Sequence, residues 1–165
     1  MRLLVPVDVR GCAHAVIERA LWLTRKVPGG SIDIMTVTPH PVAGGVSELV
    51  VDGQVCPLGA ALDEETIALL RGYAILLAKN NVLGDIIVSV GPPAECIVAE
   101  AHHRQPDLIV MGSHARHGIA RAVFGSVAET VLRQAGMAVL IEPAGKGLAE
   151  RPSQASLQAE AEANG

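Results

Sequence analysis

The stretch MGSHARHGIARAVFGSV, residues 111–127, gathers three glycines, two histidines, two arginines and two serines directly behind the apolar run DLIVM. Phosphate binding is a chemistry this mixture can do. Glycines let backbone N–H groups come close to an anion. Gly125-Ser126 stands just before a helical pattern over residues 126–135, and a helix start offers unbonded N–H groups and the positive end of the macrodipole. The Ser126 hydroxyl can cap that helix or donate to a phosphate oxygen, and Glu129 completes an S-x-x-E capping box. The same Gly-Ser start serves equally well as a plain cap with no ligand. Arg116 and Arg121 read either as anion ligands or as solvated loop charges.

Other candidate groups are weaker. His114 and His117 have an H-x-x-H spacing, but no neighbouring Cys or carboxylate completes a tetrahedral metal set, so loop polarity or weak phosphate donation fits them better. His102-His103 close a helical segment, where a cation suits the dipole. Asp8 ends the first apolar run; it can accept from a ribose or a base, or form an Asx turn ahead of the next helix. The chain has neither G-x-x-x-x-G-K-[ST] nor a G-x-G-x-x-G after its first strand. No Ser/His/Asp or Cys/His set assembles, so an enzyme such as a nucleotidyl transferase ranks behind a binding protein. Cys12, Cys56 and Cys96 are far apart and odd in number; they read as reduced, mostly buried small hydrophobes.

The elements that must position these groups follow from apolar periodicity. RLLVPV (2–7), SIDIMTV (31–37), GDIIVSVG (84–91), DLIVMG (107–112) and AVLIE (138–142) read as five strands. Residues 12–27 and 61–79 show helical spacing, PPAECIVAEAHHR opens a third helix on prolines, and residues 126–135 make a fourth. Residues 38–60, rich in Pro, Gly and Val, have no clear period and read as one long loop. Apolar strands alternating with helices specify an α/β fold: a doubly wound, Rossmann-like five-stranded parallel sheet with helices on both faces. In such sheets ligands sit beyond the carboxyl ends of the strands, where strand order reverses. If the first and fourth strands are neighbours there, Asp8 and residues 112–126 face one crevice.

Composition agrees. Half of the 165 residues are hydrophobic but only 2% are aromatic, so the core is built from Val, Ile, Leu and Ala. A formal net charge of −4 gives no global field for nucleic acid, and no apolar run is long enough for membrane insertion. MRLLVPVDVRG reads as a strand rather than a signal peptide, so the expected location is cytoplasmic. The domain is expected over 1–143, with 144–165 a polar C-terminal tail.

Over residues 1 to about 143 the chain resembles the universal stress protein family: LLVPVD, IDIMTVTP and VSVGPPAECIVAEAHHRQPDLIVMGS are similar to its successive units. Its nucleotide motif, G-x2-G-x9-G-[ST], is matched by Gly112 and by Gly125-Ser126 after nine intervening residues. Ala115 stands where the second glycine is expected. The resemblance implies an ATP-binding stress-response or signalling module, with Mg, a preference for ATP over GTP and at most slow hydrolysis. Adenosine contacts would fall on Pro6, Val7, Asp8 and Val37. Phosphate contacts would fall on Met111, Gly112, Ser113, His114, Ala115, Arg116 and His117, with Gly125, Ser126 and Val127. It also implies a homodimer through strand 138–142, whose bare apolar edge agrees. The alternative, which Ala115 favours, is a dimeric interaction protein of the same fold that binds no nucleotide and regulates a protein partner such as a transporter or kinase.

Overall fold

A computed structural model describes residues 1–8, 13–51, 54–113 and 125–143. The elements run β1 (Arg2–Pro6), α1 (Ala13–Thr24), β2 (Ser31–Thr38), β3 (Val46–Val51), β4 (Gln54–Leu62), α2 (Glu64–Lys79), β5 (Ile86–Val90), α3 (Pro93–Arg104), β6 (Leu108–Ser113), α4 (Ser126–Gln134) and β7 (Val139–Pro143). Five strands form one parallel sheet in the order β5-β2-β1-β6-β7. The chain winds outward from β1 through β2 to β5, then crosses back to β6 and β7. Strand order therefore reverses between β1 and β6, the two strands expected to flank the crevice.

Period-2 alternation sends successive side chains to opposite faces. Leu3, Val5 and Val7, with Ile32, Ile34 and Val110, pack with Val16, Ile17 and Ala20 of α1 and with Ile67 and Leu70 of α2. Leu4, Met35, Ile109 and Met111 pack with Ile97 and Ala101 of α3 and with Ala128 and Val131 of α4. Two helices thus cover each face, as the doubly wound reading requires.

The long-loop expectation for 38–60 is corrected. Residues 46–62 contain an antiparallel hairpin, β3–β4, in which Leu49 is fully buried and Leu62 joins the core. Its turn-like residues disguise it, and each has a local reason. Pro57 faces Glu48 in a two-stranded ribbon, where a missing N–H is tolerated. At Gly59 a Cβ would lie 2.5 Å from the Val88 carbonyl oxygen of β5, so only glycine lets the hairpin dock there.

Three smaller corrections follow from boundaries. Helix α1 stops at Thr24, whose buried hydroxyl donates to the Ala20 and Leu21 carbonyls, and Val27 lies beyond it, exposed. Helix α2 starts at Glu64, because Leu62 belongs to β4 and Asp63 is the cap. The reading of the cysteines as mostly buried fails: Cys56 is exposed on the hairpin and Cys96 is part-exposed, while Cys12 lies outside the described residues.

Candidate functional site

At the carboxyl ends of β1, β2 and β6 the fold leaves a cavity of about 700 Å³, within the size range of ligand pockets. Its floor is the end of β1. The Val7 N–H donates to the Met35 carbonyl (2.8 Å), and the buried Thr36 hydroxyl donates to the Val7 carbonyl (3.3 Å). These bonds fix the strand end from which exposed Asp8 projects. Pro6, Val7 and Asp8 line the cavity, as do Val37 of β2, Met111 and Gly112 of β6, and Gly125, Ser126 and Val127 at the start of α4. Residues far apart in sequence are therefore brought together around the β1/β6 reversal. Ser113 is buried in β6 and does not line the cavity. His114, Ala115, Arg116 and His117 lie outside the described residues, as does Arg121.

The start of α4 differs from expectation. Its N-cap is Gly125, extended at φ −62° and ψ 155°, with no side-chain cap; Ser126 is already the first helical residue. The capping box does not form, because Glu129 now falls one position too late. Its N–H donates to the Gly125 carbonyl (3.0 Å), and its carboxylate pairs with Arg133 (2.8 Å). With the cap position held by a residue lacking a side chain, no hydroxyl or carboxylate of a cap competes for the helix's N-terminal N–H groups. Ser126 is exposed beside them.

The opposite wall was not legible in the sequence. Pro39, His40, Pro41 and Val42 line it with Leu62, Asp63 and Thr66. The Thr38 hydroxyl donates to the His40 carbonyl (2.7 Å), and the Val42 N–H to the Ala61 carbonyl (2.9 Å), tying this segment to the hairpin. Here a second helix start meets the cavity, with the reverse electrostatics. Asp63 accepts from the Thr66 N–H (2.8 Å) and from the Thr66 hydroxyl (2.9 Å), and Glu64 and Glu65 follow. Carboxylates cancel the positive end of α2, whereas α4 has a glycine cap. The one available signal was D-E-E-T at 63–66, a cap followed by acidic residues.

Helix α1 contributes Ala13 and Val16, and its orientation is secured by a largely buried ion pair: Arg19 Nε and Nη2 reach Glu142 of β7 at 2.7 and 3.3 Å. The bond to Glu142 raises the Arg19 pKa against the opposing effect of burial. Glu142 is in register with Gly112, so this pair braces the strand beside the cavity wall. Among the described residues no group of three or more His, Cys, Asp or Glu is placed to hold a metal ion. No helix of the described residues is long and apolar enough to cross a membrane.

The reversal-point cavity and the parallel sheet define a doubly wound α/β domain of the kind that carries ligands at its strand ends. The universal stress protein family model matches residues 1–143, and the chain belongs to that family. It is 26% identical over 140 residues to a universal stress protein of Methanocaldococcus jannaschii, covering 85% of this chain and 80% of the relative. It is 28% identical over 107 residues to the stress response protein NhaX of Bacillus subtilis, covering 65% of this chain and 60% of the relative, so the match spans less than two thirds of that protein. Among solved structures, a universal stress protein from Archaeoglobus fulgidus shares the fold with a TM-score of 0.60 at 21% identity, over 86% of this chain and 97% of the other. Another from Archaeoglobus fulgidus gives 0.63 at 21% identity, over 88% of this chain but only 44% of the other. A universal stress protein in complex with cAMP gives 0.57 at 20% identity, over 88% and 98% of the two chains. The Archaeoglobus fulgidus protein in complex with dAMP gives 0.57 at 20% identity, over 86% and 96%.

Proposed function

We propose that this chain is an adenine-nucleotide-binding regulatory module of the stress response, with ATP as its ligand and the β1/β6 cavity as its site. The observation that carries the reading is the contrast between the two helix starts on the cavity. Helix α4 meets it through a glycine cap, α2 through a carboxylate cap. Phosphates are favoured at Gly125–Val127 and disfavoured at Asp63, so the nucleoside lies toward Pro6–Asp8 and Val37. Val37, Met35 and the prolines give an apolar wall for a base, and Asp8 gives an acceptor for ribose hydroxyls. The cAMP and dAMP complexes of structural relatives support an adenine nucleotide as the class of ligand. Mg would arrive with the phosphates. The family motif extends the phosphate site to His114–His117, outside the described residues.

Calorimetric titration tests this. ATP binds at one site per chain and more tightly than GTP. Gly125→Val, which sets a branched side chain at the approach to the α4 N–H groups, lowers affinity by more than about a hundredfold, the scale of two or more charge-assisted hydrogen bonds. Ala115→Gly tightens binding. Unchanged affinity in both variants would remove the phosphates from the α4 start, and no binding of ATP by the unmodified chain would instead favour an interaction protein that binds no nucleotide.

We further propose that the chain is a homodimer through β7. That strand lies at the sheet edge with Val139, Leu140 and Ile141 only half-buried. Leu140→Lys shifts the mass measured by light scattering from dimer toward monomer.

A further inference from the structure

A second, smaller cavity adjoins the first. A groove of about 290 Å³ runs between α3 and α4, and Pro93, Ser126 and Val127 line both spaces. The α4 start is therefore a shared wall, with the large cavity on one side and this groove on the other. A ligand whose phosphates rest on that wall has somewhere to continue.

The groove's chemistry says what can continue there. Its α3 side opens with Pro92 as N-cap and Pro93 in the first turn, and neither has an N–H to offer an anion. Glu95, an acidic residue of the same first turn, also lines the groove. This helix start is thus built against negative charge, unlike that of α4 a few residues' width away. Beyond Ser126 the α4 side presents Thr130 and Gln134. The Thr130 hydroxyl already donates to the Ser126 carbonyl (2.9 Å), which leaves its lone pairs to accept. Gln134 supplies an amide donor and an acceptor. A free terminal phosphate is poorly suited to this place; an uncharged, hydroxylated group is well suited.

We propose that the groove is a subsite for a neutral polar group carried on the ligand's terminal phosphate. Beside ATP, the site then takes an adenine nucleotide esterified beyond its phosphates, of the adenosine-diphosphate–sugar type. This rests on the nucleotide reading of the larger cavity.

The test compares ADP with ADP-ribose by calorimetry on the full chain, alongside two variants. Ala94→Trp fills the groove from α3, and Gln134→Ala removes a hydrogen-bonding group; Ala94 and Gln134 line the groove and not the large cavity. The expected result is ADP-ribose binding about tenfold tighter than ADP, the worth of one or two added neutral hydrogen bonds. Both variants should erase much of that advantage while ADP affinity stays constant. Equal affinity for the two ligands in the unmodified chain overturns the subsite and leaves the nucleotide site standing. So does an equal loss for both ligands in Gln134→Ala, the milder change. Failure of the folded chain to bind either ligand overturns the nucleotide reading, and the subsite with it.

Discussion

The two ends of the central sheet solve opposite problems. At the amino ends of the strands, the charged groups of Asp33, Asp85, Glu100 and Arg104 are tied to one another. Buried Asp33 of β2 accepts from the Asp85 N–H (3.0 Å) and from Arg104 of α3 (3.3 Å). Arg104 also reaches Asp85 (2.7 Å) and Glu100. Arg2 donates to the Arg104 carbonyl (2.9 Å), and its N–H to Asp107 (2.6 Å). Burial opposes the Arg104 charge, yet its bonds to Asp85 and Glu100 outweigh that and hold the guanidinium protonated well above its ordinary range. At the carboxyl ends the chain instead leaves a cavity, a glycine-capped helix start and an exposed Asp8. One end spends its polar groups on holding five elements together. The other borders a cavity lined by Asp8, Gly125 and Ser126 among the described residues. Stability and binding should therefore separate by end.

The largest effect on stability is expected at the amino end. Asp33→Ala removes a buried acceptor and leaves Arg104 and the Asp85 N–H short of a partner. It should cost about 3 kcal/mol in denaturant unfolding, with ATP affinity per folded molecule unchanged. A large loss of affinity would show that the two ends are coupled through β2. A smaller effect is expected at the hairpin side of the cavity. Asp63→Ala deletes the α2 cap and should cost about 1 kcal/mol, the usual worth of a cap. Asp63→Asn, which keeps an acceptor for Thr66, should recover most of it. If phosphates stay with α4, as proposed, neither change reduces ATP affinity; removing the carboxylate can only make α2 more attractive to an anion. The smallest effect is expected outside the sheet altogether. Truncation after Gly145 should leave the melting temperature unchanged within about a degree, because the removed segment has few large apolar groups to offset its ordering entropy. A fall of many degrees would mean that the tail packs on the domain.

Most of the sheet was legible because β1 and β6 are largely continuous apolar runs, the mark of strands buried on both faces, and β2 alternates with a strand's period. The neighbourhood of β1 and β6 stood in the sequence only as a condition; the strand order meets it and brings Asp8, Gly112 and Gly125-Ser126 to one cavity. The hairpin was not legible. Pro57 and Gly59 read locally as turn residues, and the close approach of Gly59 to Val88 that explains one of them exists only in the folded molecule. The wall at Leu62, Asp63 and Thr66 was hidden for the same reason, since it reaches the cavity only once the hairpin docks. The capping box misled by a single position: S-x-x-E is present, but Gly125 takes the cap and Ser126 enters the helix. That shift strengthens the case for a ligand there, because the serine expected to cap the helix is left exposed on the cavity.

Hydrogen–deuterium exchange with and without ATP tests the division of the two ends most directly. Slowed exchange is expected at residues 7–8 and 125–128 on adding ATP. No change is expected around residues 31–33, 85 and 104–107, where the polar groups already bond to one another. Protection confined to that amino end, or none at residues 125–128 under saturating ATP, would contradict that division.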